Sequence, residues 1–203
     1  MKKEIRKSNQ NLKFLLVVLT LFLSFGIKAT NLFWIGGTGN WNDATHWSTT
    51  SGGAAGAVIP TSSDNVFFDA NSFSGAGQQV NGSASAVCAD MDWTGATFIP
   101  DFNCIAAIDI YGSLTLIANM TWNGGATVFF KATSAGKTIT CAGKAFGGLV
   151  HFDGVGGGWT CLDAFSCLDY LWFYNGSLNT NNQDFTVKLV ICTGAGAKAL
   201  TLG

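Results

Sequence analysis

Thr140-Cys-Ala-Gly-Lys-Ala-Phe146 is answered twenty residues later by Thr160-Cys-Leu-Asp-Ala-Phe165, and Tyr111-Gly-Ser-Leu114 returns as Asn175-Gly-Ser-Leu178 about three such periods on. Around these echoes lie short β-branched and aromatic runs bounded by Gly, Asn and Ser: 65–68, 107–111, 114–117, 127–131, 149–152, 170–174 and 185–191. After residue 29 these short β-branched and aromatic runs outweigh any helical apolar spacing, so that part of the chain reads as all-β. A period near 20 without helices, and with Gly turns after many strands, predicts a right-handed parallel β-helix. Its coils would stack at about 4.8 Å. Met91, Ile110, Phe129, Phe152, Phe173 and Ile191 are then the expected inward positions of successive coils. A sandwich of evenly spaced strands is the competing architecture.

Outward from the repeats, residues 30–86 show no period and hold Trp34, Trp41 and Trp47 in a Gly-rich setting. An open solenoid end exposes backbone groups and apolar side chains, so this region is expected to be an N-terminal cap, with coils over 87–203. The pattern stops at Leu200-Thr-Leu-Gly203 in mid-repeat, which suggests the beginning of something longer. Gly112 and Gly176 are expected at equivalent corners where a Cβ is excluded.

Before the cap, Lys2, Lys3, Arg6, Lys7 and Lys13 precede an apolar run from Phe14 to Phe25 that holds only Thr20 and Ser24 as polar residues. Twelve helical residues span only about 18 Å, short of a hydrocarbon core of roughly 30 Å. Basic start, short apolar run and small residues after it predict a secretory signal peptide, residues 1–29, and no membrane span after its cleavage. The remainder holds five Lys, no Arg and eleven Asp, a formal charge of −6. That balance excludes a nucleic-acid surface and disfavours anionic partners.

The stretch Phe33-Trp-Ile-Gly-Gly-Thr-Gly-Asn-Trp-Asn-Asp-Ala-Thr-His-Trp47 resembles the W-x-G-G-x-G-x-W opening of large secreted bacterial surface proteins. Pro60-Thr-Ser-Ser-Asp-Asn-Val-Phe-Phe-Asp-Ala-Asn-Ser-Phe73 resembles the segment that follows in them. Cys88-Ala-Asp-Met-Asp-Trp-Thr-Gly95, Ile110-Tyr-Gly-Ser-Leu-Thr-Leu116 and Gly154-Val-Gly-Gly-Gly-Trp-Thr160 are similar to their β-helical repeats. The resemblance covers nearly the whole chain after residue 29. It implies an adhesin-like, multidomain, type IX-exported context, and it supplies no catalytic residues.

Candidate chemistry is sparse. With Met91 and Ile110 inward, Asp90, Asp92 and Asp109 would point outward, Asp90 and Asp109 one strand spacing apart, a carboxylate pair of the kind that cleaves glycosidic bonds. No Arg or neighbouring His supports it, and solvated acidic positions that discourage edge pairing are the preferred reading. Asp64, Asn65, Asp69 and Asn71 offer oxygens to a Ca²⁺, but without an EF-hand or Gly-Asp repeat they read as turn residues. His46 and His151 have no ligand-spaced partners, so no metal or cofactor is expected. Cys88, Cys104, Cys141, Cys161, Cys167 and Cys192 lack C-x-x-C spacing; an inward ladder is narrowly favoured over disulfides, with Cys141 and Cys161 as equivalent positions of adjacent coils. Tyr170, Trp172 and Tyr174, flanking inward positions, form the best ligand-binding strip, and Trp34, Trp41 and Trp47 read as cap core.

The expectation is a secreted or cell-surface, non-enzymatic β-solenoid scaffold or adhesive module. Its partners would be glycans, other surface proteins, or the remainder of a larger polypeptide. An extracellular polysaccharide-acting β-helix enzyme and a carbohydrate-binding module remain as alternatives.

Overall fold

Apolar and polar side chains alternate over only a few residues before a turn interrupts them. No such run buries a face alone, so each must stack on the run one period earlier. The computed structural model describes residues 29–123 and 125–203. The expected signal peptide, residues 1–29, lies outside the described residues except for Ala29. No helix among the described residues is long and apolar enough to cross a membrane.

In chain order the strands are β1 (Asn31–Trp34), β2 (Gly39–Asn40), β3 (Trp47–Ser48), β4 (Asn65–Phe67), β5 (Gln79–Gly82) and β6 (Ala86–Cys88). There follow β7 (Met91–Asp92), β8 (Asp101–Cys104), β9 (Ile108–Ile110), β10 (Leu114–Thr115), β11 (Thr121–Asn123) and β12 (Val128–Phe130). The last six are β13 (Lys137–Thr140), β14 (Ala145–Phe146), β15 (Val150–Cys161), β16 (Phe165–Asn179), β17 (Phe185–Cys192) and β18 (Lys198–Thr201).

These strands form a parallel β-solenoid of about six turns with three faces. Face A stacks β6, β9, β12, the start of β15, the middle of β16 and the end of β17. Face B stacks β1, β4, β7, β10, β13, the end of β15, the end of β16 and β18. Face C begins with the four-stranded sheet β2-β5-β8-β11 and continues through β14 and the starts of β16 and β17. In the upper coils β15 and β16 bend round the A–B corner through register shifts after Phe152 and after Asp153, so both faces merge into one 14-stranded sheet.

Two inward columns show how the sequence builds the core. On face A, Cys88, Ile110, Phe130, Phe152, Phe173 and Cys192 stand in register. On face B, Leu32, Val66, Met91, Leu114, Ile139 and Cys161 do the same. Phe152 stacks on Phe130 at 5.0 Å and on Phe173 at 4.9 Å, each with planes 15° apart. Full burial of each such ring contributes about 1.5–3 kcal/mol, and its stacking adds about 0.5–1.5 kcal/mol per pair. Trp159 spans coils inside this core, its indole N–H donating to the Gly112 carbonyl at 3.1 Å.

One end is plugged. Trp34, Trp41 and Trp47 are fully buried. Trp47 lies edge-on to Trp34 at 5.1 Å and to Trp41 at 5.0 Å. The Trp34 and Trp47 indoles donate to the Gly37 and Trp41 carbonyls, both at 2.8 Å. β3 runs antiparallel to β1, the one antiparallel pairing among the described strands, and covers that sheet edge. The stacking already includes β1, β2, β4 and β5, so the parallel register reaches down into residues 30–86. At the other end β17 and β18 each pair on one side only, with β16. Their inward-column residues Val190 and Leu200 are half-buried and Cys192 is exposed.

Several sequence expectations shift register. Met91 belongs to face B, not to the column of Ile110, because Asp92 is followed by a Thr-Gly turn into face C rather than by a return to face A. Phe129 and Ile191 point outward: Phe129 opposes Asp109 and His151, and Ile191 opposes Trp172, while Phe130 and Cys192 take the inward places. A one-residue slip moves a strand residue to the other face. Cys161 stands opposite Ile139, not Cys141, which meets the Asp163 carboxylate instead through its backbone N–H at 2.7 Å. Gly112 and Gly176 both lie on the chain's path from face A to face B. A Cβ at Gly112 would press on the Asp90 carboxylate and lie 2.8 Å from the Ala89 carbonyl carbon; Gly176 has φ +91°.

Candidate functional site

The outward side of face A carries one column in register: Val87, Asp109, Phe129, His151, Trp172 and Ile191. Strand pleating brings Phe129 of β12, His151 of β15 and Trp172 of β16 to the same side, so residues 21 or 22 apart in sequence become neighbours. The His151 ring centre lies 4.5 Å from Phe129, 6.0 Å from Trp172 and 5.5 Å from Tyr174. Trp172 and Tyr174 lie 5.9 Å apart with planes 12° apart. Near-parallel rings at these separations are offset-stacked. The faces of Trp172, Tyr174 and His151 are therefore turned partly to one another.

The structure thus unites Trp172 and Tyr174 and leaves Tyr170 aside. Tyr170 carries the Lys188 ammonium 4.8 Å over its ring, and Lys188 reaches Asp169 at 3.6 Å. His151 and Phe129 join the strip. The sequence does not point to either: its spacing predicts Phe129 inward, and it offers His151 neither metal-ligand partners nor the Asp90 and Asp109 carboxylates near enough to assist. The regular spacing of 129, 151 and 172, close to the repeat period, was the signal that could have found them.

Polar groups frame the cluster. Lys131 pairs with Asp109 at 2.7 Å and sits 4.8 Å over the Phe129 ring. Asn175 donates to Asp153 at 2.8 Å. His151 is 9% exposed, and neither ring nitrogen has a hydrogen-bond partner. The Trp172 indole nitrogen is likewise buried and unpartnered. Burial holds the His151 pKa below its usual value; Asp153 opposes that shift and Lys131 reinforces it. The imidazole is accordingly neutral at neutral pH, one nitrogen a donor and the other an acceptor.

Asp90 and Asp109, weighed as a carboxylate pair, do not stand opposite one another. Asp109 stands between Val87 and Phe129 on face A. Asp90 lies at the start of face B, where it accepts the Ser113 N–H at 2.6 Å, and Asp92 opposes Phe67 and Thr115. The residues weighed for Ca²⁺ make turn bonds. Asp64 accepts from the Thr30 and Thr61 backbone and the Thr61 hydroxyl, and Asp69 accepts from the Asn71 N–H. Among the described residues no group of three or more His, Cys, Asp or Glu is arranged to hold a metal. His46 stacks on Trp34 at 4.9 Å and reaches the Ile35 carbonyl with Nδ1 at 2.9 Å.

All six cysteines are free, and only Cys192 is exposed. Burial pushes the Cys104 thiol up to about 11, and burial with the nearby Asp163 charge does the same at Cys161. Such thiols carry negligible thiolate at neutral pH, so they pack as small apolar groups. No family model, no curated protein and no solved structure matches the chain.

Proposed function

We propose that this chain is a non-enzymatic β-solenoid module of a secreted or cell-surface bacterial protein, acting as a rigid scaffold that carries adhesive surfaces. The observation that carries this reading is the continuous core. Apolar columns run through the stacked coils from a tryptophan plug at one end to an open rung at the other. Such a column resists bending because interiors are close-packed, and its nearest-neighbour stacking makes it a spacer. The W-x-G-G-x-G-x-W stretch supplies Trp34 and Trp41 to that plug, and an exported location and a type IX route rest on its sequence resemblance to secreted surface proteins. The half-buried row on β17 and β18 suits a further packed layer, from a larger polypeptide or another surface protein.

The outward carboxylates support scaffolding over hydrolysis, because Asp109 is bound by Lys131 and Asp90 by the Ser113 backbone. Incubating the protein with neutral and acidic polysaccharides and assaying new reducing ends tests this directly. None are expected. Turnover that is lost in Asp90→Asn or Asp109→Asn would replace the scaffold reading with a glycosidase. The carbohydrate-binding reading is favoured by one specific feature, the Trp172–Tyr174–His151 cluster.

A further inference from the structure

On the outward side of face A, three polar nitrogens lie within one ring cluster and have no partner: both nitrogens of His151 and the indole nitrogen of Trp172. They are half of the six such buried side-chain atoms found among the described residues; the others, on Trp41, Trp93 and Asp101, do not share this cluster. An unpaired buried polar group costs about 1–3 kcal/mol, and native proteins leave few of them. These three belong to side chains on the solvent side of a strand, where the inward residues already complete the core. Packing therefore does not require a histidine or tryptophan nitrogen here; a phenylalanine would stack as well.

We propose that the Trp172–His151–Tyr174 cluster is a binding site for the hydroxyl groups of a neutral glycan. The proposal rests on the adhesive-module reading and adds its ligand class. A hydroxyl both donates and accepts. One oxygen can therefore take the indole N–H and give its proton to the imidazole acceptor, or bridge imidazole N–H to a second hydroxyl. An ionised carboxylate cannot do this, being an acceptor only, and Asp153 beside the site repels it, whereas Asp109 is neutralised by Lys131. The ring faces are largely spent on one another, so hydrogen bonding rather than broad sugar stacking would set specificity. Because the three nitrogens are buried, entry of a hydroxyl requires a side-chain rotation at the surface, for which the half-buried Tyr174, 5.5 Å from the His151 ring, is placed.

The test titrates the full chain with xylohexaose, cellohexaose and mannohexaose, with polygalacturonate as the acidic comparison. The readouts are the Trp172 indole N–H and His151 ring nitrogen signals in NMR. At least one neutral hexaose should shift both signals. Affinity should fall at least tenfold in Trp172→Phe and in His151→Phe, which keep the ring stack but lack the nitrogens. Three results would overturn the proposal: no shift with any neutral hexaose at millimolar concentration, equal binding of polygalacturonate, or unchanged affinity in His151→Phe. Should a variant fail to fold, the wild-type titration still decides. Absence of binding leaves the scaffold reading intact, whereas reducing-end release removes the scaffold reading without touching the binding site.

Discussion

His151 gives up water on both ring nitrogens when the chain folds and gains no hydrogen bond among the described residues. The groups facing it are Phe129, Trp172 and Tyr174, with Asp153 and the Lys131–Asp109 pair at the rim. Its pKa is lowered in the folded state from the usual 6.5, so below that pH the unfolded chain binds more protons than the folded one. The contribution of His151 to stability is therefore fully present above about pH 6.5 and is lost as pH falls through that value, levelling below the depressed folded pKa. Denaturant midpoints measured from about pH 8 to pH 5 should fall on acidification, and His151→Phe should flatten this part of the profile. A variant profile as steep as wild type would show that another group carries the effect.

At the level of the strand, β12 offers a comparison one residue wide. Phe130 is buried between Ile110 and Phe152, while Phe129 points outward under Lys131. Phe130→Ala should cost about 3–5 kcal/mol, the range for a buried phenylalanine. Phe129→Ala should cost well under half of that in urea unfolding; equal costs would contradict the register. That register was the part hardest to read in the sequence. Strands with several large apolar residues, such as 108–110, 128–130 and 185–192, announce themselves. The face C strands do not: Gln79–Gly82, Asp101–Cys104 and Thr121–Asn123 are largely polar, with Val80, Phe102 and Trp122 as their main core contributions. With face C hidden, the spacing aligns residues of two faces, Met91 and Ile110, as one column. Period and all-β class survived that error because they depend on coil length alone. The aromatic strip was legible at Trp172 and Tyr174, whose alternation with Leu171 and Phe173 is plain, but not at Phe129 and His151, which only cross-coil register brings to them.

Across the whole molecule the two ends differ. The tryptophan plug buries large side chains and covers an edge with β3, whereas β17 and β18 have a neighbour on one side only. Local opening should follow that gradient. Amide hydrogen exchange is expected to be slowest in β9, β12 and the buried half of β15, and faster by at least tenfold in β17 and β18. Uniform protection along the axis would mean that the open rung is covered in solution. The stacking also has a temporal meaning. Cross-coil bonds join residues about one coil apart in sequence, such as Ser177 to Gly157, 20 apart, and Lys131 to Asp109, 22 apart. Loop closure for each added coil therefore costs nearly the same, and contact order is low for a sheet that is parallel in all but its β1–β3 pairing. When the amino end emerges first, the tryptophan segment precedes every coil that stacks on it. Each later coil then finds its template already laid down, so assembly can proceed in the direction of emergence, without waiting for the last residue.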